Sequence, residues 1–326
     1  MNIQTREAWL EERRSGIGGS DIGCILGLSK WSTPLDIFLD KLGQGKHVDP
    51  DNEAIRWGNL LEDVVAQEYS ERTGHKIQRI NTMMRPAHMP HVIANIDRAV
   101  VNNDISGTVR WNGNRLTTDR ILEVKTGNMM TTHLWGEAGS DEMPDYFLTQ
   151  AQWYMGVTGA KYCDVAVLLG GQDFRIYHLE RDQSLIDTMF EMAADFWELV
   201  EARTPPDPIT WADASTRWPQ HVAAKKLDVD VTVVKHCQEL TALGLQKKAL
   251  TAQEDDLKLQ IGMALGDAEA AAFGGDALCT WKTQTSNRLD AKAFRAEHPE
   301  LAETYMTESQ SRVLRIGKLG KLETML

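Results

Sequence analysis

The 326-residue sequence is short of several things, and each absence narrows what the protein can be. No run approaches the roughly 18 consecutive apolar residues of a membrane span, so no membrane association is expected. The opening segment, Met1-Asn2-Ile3-Gln4-Thr5-Arg6, lacks the apolar stretch of a signal peptide, so a cytoplasmic protein is expected. Cysteine is scarce. Cys24, Cys163, Cys237 and Cys279 stand far apart with no Cys-x-x-Cys pair, which disfavours zinc and iron–sulfur sites and points to buried free thiols. Positive charge is also in deficit, with 35 Lys/Arg against 47 Asp/Glu and a net charge of −12. The deficit falls in residues 1–210, which carry 20 Lys/Arg against 31 Asp/Glu. A chain this acidic does not advertise nucleic-acid binding, and any such binding would need a local basic patch and bound metal to offset the acids. There is no internal repeat and no long low-complexity tract.

The stretch around which the rest is organised is Ile121-Leu122-Glu123-Val124-Lys125-Thr126-Gly127. It alternates, with Leu122, Val124 and Thr126 to one side and Glu123 and Lys125 to the other, which predicts a strand. A carboxylate and an ammonium then share one face. The Glu can ligate a divalent cation and the Lys can steady an attacking water or the charge developing on a phosphate. Glu-x-Lys by itself is common, and a solvated ion pair on a strand is the ordinary reading.

Other candidates lie on either side. A helix is predicted from about Thr5 to Arg14, followed by Ser15-Gly16-Ile17-Gly18-Gly19-Ser20-Asp21. Ser20 is the expected N-cap of a helix through Leu26, and the glycines with Arg13 and Arg14 make either a phosphate cradle or a plain capped turn. Thr33-Pro34 should open a helix through Leu42. Asn52 to Gly74 reads as a long helix with Ile55, Leu61, Val64, Val65 and Tyr69 as its apolar stripe, and Glu62 beside that stripe can point either to solvent or into a site. Strands are expected at 75–85 and 91–102, the second carrying Asp97. An excursion over 103–120 with an Asn112-Gly113 turn would return the chain to the Glu123 strand, making the two acids neighbours on antiparallel strands. Asp145 to Val157 should be a helix with Phe147, Leu148, Ala151 and Met155 inward and Gln150 and Tyr154 sharing a face. Strands at 161–169 and 174–179 and a helix over 183–203 follow, and Thr204-Pro205-Pro206-Asp207-Pro208 is the expected linker. Beyond it, Val231 to Leu265 reads as one helix or a broken pair. Leu243, Leu250, Leu257 and Ala264 recur there every seven residues, which suggests helix–helix packing within or between chains. A hairpin over Gly274-Gly275, a helix over 289–305 broken at Pro299, and a last strand at 311–316 complete the reading, with Arg312 and Arg315 available for an acidic ligand or, as is more usual, on a solvated face.

Taken in order, Arg13, Gly18-Gly19-Ser20-Asp21, Gly58-Asn59-Leu60-Leu61-Glu62, Ile96-Asp97, Leu122-Glu123-Val124-Lys125-Thr126 and Gln150-x-x-x-Tyr154 resemble the YqaJ family of viral recombinases. These are relatives of lambda exonuclease in the PD-(D/E)XK nuclease superfamily. The resemblance covers about residues 5–200 and is less specific beyond. It implies an α/β fold, with a restriction-endonuclease-like core whose mixed sheet is flanked by helices. A nuclease domain would span residues 1–205. A smaller α+β extension over 206–326 would serve oligomerisation or partner binding. Asp97, Glu123 and the carbonyl of Val124 would be metal ligands, Lys125 the catalytic lysine, and Glu62 the holder of a second ion. Gln150 and Tyr154 would position DNA or the lysine, and Ser20 with Arg13 or Arg14 would grip a 5′-phosphate. Two departures stand out: the long gap from Asp97 to Glu123, and Arg98 where Gly is common.

The implied activity is hydrolysis of duplex DNA, 5′→3′ from ends, with two Mg²⁺ ions (or Mn²⁺) per site. The product would be a 3′ overhang for a single-strand annealing protein, the assembly a homo-oligomeric ring, and the setting the cytoplasm of a bacterial host cell. The alternatives are a structure-specific endonuclease on the same core and a non-cleaving DNA-binding recombination scaffold. A sugar- or nucleotide-binding protein using the Gly-rich turn has nothing else in its favour.

Overall fold

The computed structural model describes residues 3–45, 52–102 and 107–317, and the chain divides into two units, 1–217 and 218–326. The dividing point lies beyond the proline-rich linker at 204–208. A short helix, α7 (Trp211–Arg217), belongs to the first unit, with Asp213 buried and accepting a hydrogen bond from Thr33 Oγ1 at 2.8 Å.

In the first unit, among the described residues, four helices precede the sheet: α1 (Ile3–Arg14), α2 (Gly19–Ile25), α3 (Pro34–Lys41) and α4 (Glu53–Thr73). The caps of the last two follow from sequence. Thr33 accepts from Asp36 N with Pro34 behind it, and Asn52 caps α4, which ends at Gly74 in the left-handed region at φ 73°. The cap of α2 differs from expectation. Gly18 is the N-cap, its N–H donating to Asp21 Oδ2 at 2.9 Å, and Ser20 lies inside the helix with its hydroxyl free for another partner.

Five strands follow: β1 (Lys76–Gln78), β2 (Arg98–Val101), β3 (Arg120–Gly127), β4 (Tyr162–Leu169) and β5 (Asp173–Glu180), in that spatial order. The sheet is mixed, with β3 and β4 parallel and the other neighbours antiparallel. The parallel pair requires a crossover, supplied by α5 (Asp145–Thr158) after a 3₁₀ turn at Met129–Leu134. Helix α6 (Gln183–Glu201) completes this unit's core. The expected strands at 75–85 and 91–102 are shorter than their sequence suggests. Outside β1 and β2 only isolated bridges at Val92 with Ile17 and Met84 with Ala94 continue them. Of the excursion, residues 103–106 lie outside the described residues, while Trp111 and Leu116 bridge across a turn with Gly113 at φ 90°.

The alternation in β3 does what its period demands. Leu122 and Val124 pack with Val65, Ala66 and Tyr69 of α4, Val100 and Ala166. The opposite face meets the larger core, where Ile121 and Val165 join Ile22, Trp153, Met155, Ile186 and Met189. The apolar stripe of α4 is narrower than predicted: Ile55 and Val64 are exposed, and Ala66 takes a core position instead. On α5 the fully buried aromatic is Trp153, whose indole N–H donates to Ile93 O at 2.9 Å. Among the cysteines, Cys24 and Cys163 are buried as expected, but Cys237 and Cys279 are only half-buried.

The second unit holds α8 (Val231–Leu265), the hairpin β6 (Ala270–Phe273) and β7 (Asp276–Thr280), α9 (Ala291–Glu297) and α10 (Pro299–Thr304). The strand expected at 311–316 does not form, and the segment has no regular secondary structure. Arg312 instead donates to the carbonyl of Trp218 at 3.2 Å. No helix among the described residues is long and apolar enough to cross a membrane.

Candidate active site

The ladder between β2 and β3 is short. Its registered pairs are Arg98 with Leu122 and Ala99 with Ile121, and beyond Arg98 the strands part. Parting strands leave backbone donors without ladder partners, and two carboxylates take them. Asp97 Oδ2 accepts from Val124 N at 2.8 Å, and Glu123 Oε1 accepts the longer bond from Asp97 N at 3.4 Å. Each acid is thus tied to the backbone beside the other. In a strand a residue's N–H and C=O leave on the same side, so the Val124 carbonyl faces the same opening as its N–H.

Lys125 closes the group, its Nζ 3.0 Å from Glu123 Oε2. Glu123 is buried at 2% exposed, while Asp97 and Lys125 are half-buried, the Lys125 side chain at 14%. Burial pushes the Glu123 carboxyl up to about 8, with the Asp97 charge adding to the rise and Lys125 opposing it. Burial raises Asp97 too, against the pull of Lys125 and the Val124 N–H. For Lys125, burial works against the charged form, yet Glu123 and Asp97 outweigh it and the ammonium sits above its ordinary value. The raised carboxyls favour a protonated acid here, and ionising both beside one base would leave an excess of negative charge that a hard divalent cation with oxygen ligands would balance.

Beside this group lies a cavity of about 330 Å³, in the range of small-ligand sites, whose walls include Arg13, Ser20, Glu62, Asp97, Gln150 and Tyr154. Six of the residues picked from sequence therefore line one space. Arg13 Nη2 donates to Ser20 Oγ at 2.5 Å and lies 3.5 Å from Asp21 Oδ1. Arg14 turns away, to Glu11 at 3.3 Å and Asp40 at 3.9 Å, so the structure separates the two arginines that the sequence left equivalent. Gln150 Nε2 donates to the Tyr154 hydroxyl at 3.1 Å. Burial, then Glu123, hold the Tyr154 phenol well above its ordinary value, so it is neutral. Gly19 is a glycine for a packing reason: a Cβ there would come within 2.6 Å of the Tyr154 ring.

Glu62 is the residue whose placement differs most from its expected role. It faces the cavity from α4, but its Oε1 accepts from Arg98 Nη1 at 2.7 Å and Arg79 Nη2 at 3.2 Å. No cluster of three metal-binding side chains occurs among the described residues. Arg98, which the sequence marked only as a departure from the family pattern, has a partner set that sequence reasoning did not foresee. It is 5% exposed, also pairs with Asp63, and donates to the carbonyl of Asp97. Its signal was its position, directly after Asp97 where a small residue was expected. A second omission is Lys41, buried at the end of α3 with its Nζ 2.6 Å from Asp21 Oδ2 and 3.2 Å from Arg13 O. A lysine in a last helical turn ordinarily reaches solvent, so nothing local marked it.

The sequence model of the YqaJ-like viral recombinase domain matches residues 8–161, which contain every cavity-lining residue named above. An uncharacterised protein YqaJ of Bacillus subtilis (strain 168) is 33% identical over 323 residues, 97% of this chain and 95% of that protein. An uncharacterised protein of Acanthamoeba polyphaga mimivirus is 24% identical over 161 residues, 49% of this chain and 28% of its own length. Among solved structures, an alkaline exonuclease from Laribacter hongkongensis aligns at a TM-score of 0.45 and 15% identity, covering 61% of this chain and 94% of that one. The extent and identity of the Bacillus match decide the assignment: the chain belongs to the YqaJ-like viral recombinase family.

Proposed function

We propose that this protein is a metal-dependent deoxyribonuclease that digests duplex DNA 5′→3′ from its ends and leaves a 3′ single strand for recombination by annealing. The observation that carries this reading is the grouping of Asp97, buried Glu123 and Lys125 beside a cavity walled by Arg13, Ser20 and Tyr154. Membership of a viral recombinase family supplies the setting.

The donor set suits Mg²⁺ or Mn²⁺. Asp97, Glu123 and the Val124 carbonyl offer hard oxygen ligands, and the raised carboxyls show a place short of positive charge. Glu62 would serve a second ion after exchanging its bond to Arg98. A bound cation would supply Lewis acidity toward a phosphodiester oxygen and a more acidic water.

The remaining work falls to the protein's own groups. Lys125, fixed by Glu123, presents a permanent positive charge to the anionic phosphate as charge builds on it. Arg13 and Ser20 present a guanidinium and a hydroxyl to the terminal phosphate, which fixes how far the strand enters. Tyr154, neutral and held by Gln150, donates to the substrate or to the lysine's surroundings without adding charge.

The test is a panel of linear duplexes with 5′-phosphate or 5′-hydroxyl ends and a closed circular duplex, each with Mg²⁺ or EDTA. The expected result is digestion of linear duplex only, faster with 5′-phosphate, and none in EDTA. Cleavage of the circle would favour the endonuclease reading. Binding without cleavage under every condition would favour the scaffold.

A further inference from the structure

Helix α8 is 35 residues long, and among the described residues very little packs against it. At 1.5 Å per residue it extends about 50 Å. A heptad laid along it places Val233, Leu240, Lys247, Glu254 and Ile261 at one repeating position, and His236, Leu243, Leu250, Leu257 and Ala264 at the other. The apolar members of this seam stand in solvent, with Leu240 48%, Leu243 58%, Leu250 64% and Leu257 59% exposed. The β6–β7 hairpin does not cover them. Its neighbour Trp281 lies against Gly262, at 3.4 Å from a Cβ built there, and position 262 is turned about 130° from the middle of the seam. A row of leucines this long and this exposed is the mark of a missing partner.

The charges say which partner fits. The first half of α8, through Leu250, carries Lys235, Lys247 and Lys248 against Glu239 alone. The second half carries Glu254, Asp255 and Asp256 against Lys258 alone. A second copy laid alongside in parallel would bring like halves together and would stack Lys247 on Lys247 and Glu254 on Glu254 within the seam. Laid antiparallel, each basic half meets an acidic half, and the two helix dipoles also oppose. In the register of fullest overlap Leu240 meets Leu257 of the second copy, and Val233 meets Ala264.

We infer that α8 is a self-complementary surface that pairs antiparallel with α8 of a second copy of this chain. The pairing joins two whole molecules through their second units, uses no residue of the cavity described in the first unit, and stands whether or not the proposed activity is correct.

The experiment uses full-length protein with Cys237→Ser and Cys279→Ser, and two added variants, Val233→Cys and Ala264→Cys. The expected result is a disulfide-linked dimer when the two variants are mixed and oxidised, and none from either alone, since like ends of an antiparallel pair lie about 45 Å apart. Self-linking of Ala264→Cys, or no linking in the mixture, would overturn the inference. Sedimentation equilibrium supplies a second reading that needs no new thiol. Lys247→Glu with Lys248→Glu should weaken self-association at least tenfold, and adding Glu254→Lys with Asp255→Lys should restore it. A charge pattern that leaves association unchanged, or a wild-type protein that stays monomeric at tens of micromolar, would equally refute it.

Discussion

Burial and mutual repulsion both oppose ionising Asp97 and Glu123 together, and one lysine does not neutralise two acids. Asp97→Asn keeps an acceptor for the Val124 N–H while removing that repulsion. Without metal it should leave the protein as stable as wild type or about 1 kcal/mol more stable. The same variant should lose most of the thermal stabilisation that added Mg²⁺ or Mn²⁺ gives wild type, and differential scanning fluorimetry reads both effects. Arg13 and Arg14 separate in the same manner. Arg13→Ala should cut the preference for 5′-phosphorylated ends by roughly 10- to 100-fold, the worth of a charged hydrogen bond, and Arg14→Ala should leave it intact, as the ratio of initial rates on the two duplexes will show. Beneath Arg13, the buried Asp21 is held below its ordinary range: burial raises it, but Lys41 and Arg13 prevail. A carboxyl lowered by folding stabilises fully above its unfolded value, about 4, and loses that contribution as pH falls through the folded value. Asp21→Asn should therefore cost about 3–5 kcal/mol at neutral pH by stranding Lys41, with the gap to wild type closing in acid, as melts from pH 7 down to pH 2 would record.

The elements that carry the site were legible to different degrees, for reasons that lie in their packing. The Glu123 strand could be read because it is buried on both faces with a clean alternation, and its antiparallel pairing with β2 followed from the excursion between them, although Asp97 stands just before β2 and not on it. The segments at 75–85 and 91–102 were read too long because their apolar residues serve loops and bridges against the core, not ladders. Ser20 was taken for a cap because serine ordinarily is one. The actual cap uses the Asp21 side chain on Gly18, which frees the Ser20 hydroxyl for Arg13. The partners of Arg98, and Lys41 altogether, were missed because long cations are expected at the surface, whereas here Arg98 is sunk against Glu62 and Asp63 and Lys41 against Asp21, acids that other elements bring. The α2–α5 contact gives a test at this level. Gly19→Ala would drive a methyl into the Tyr154 ring, so it should destabilise by about 1–3 kcal/mol and disturb cleavage more than a remote substitution of equal cost. Chemical denaturation paired with rates on linear duplex will separate the two.

Over the whole molecule, the two units have different physical characters. Residues 1–217 enclose a dense core, whereas the second unit leaves leucines of α8 in water. The heptad signalled that packing was needed, but only the division of charge along α8 indicated what it should meet. The net charge of −12 is partly paired inside the first unit, with Lys125 at Glu123, Arg98 at Glu62 and Arg13 at Asp21, and the acids that remain in excess are those the proposed cation would offset. Everything proposed for the first unit depends on Lys125 acting beside Asp97 and Glu123 on a DNA backbone. Wild type and Lys125→Ala, purified identically and shown to melt alike, should be compared on a 5′-phosphorylated linear duplex in Mg²⁺. Wild type should digest it, and the variant should be slower by roughly 10²–10³-fold or more. Equal rates for the two proteins, or no digestion by wild type, would contradict the account.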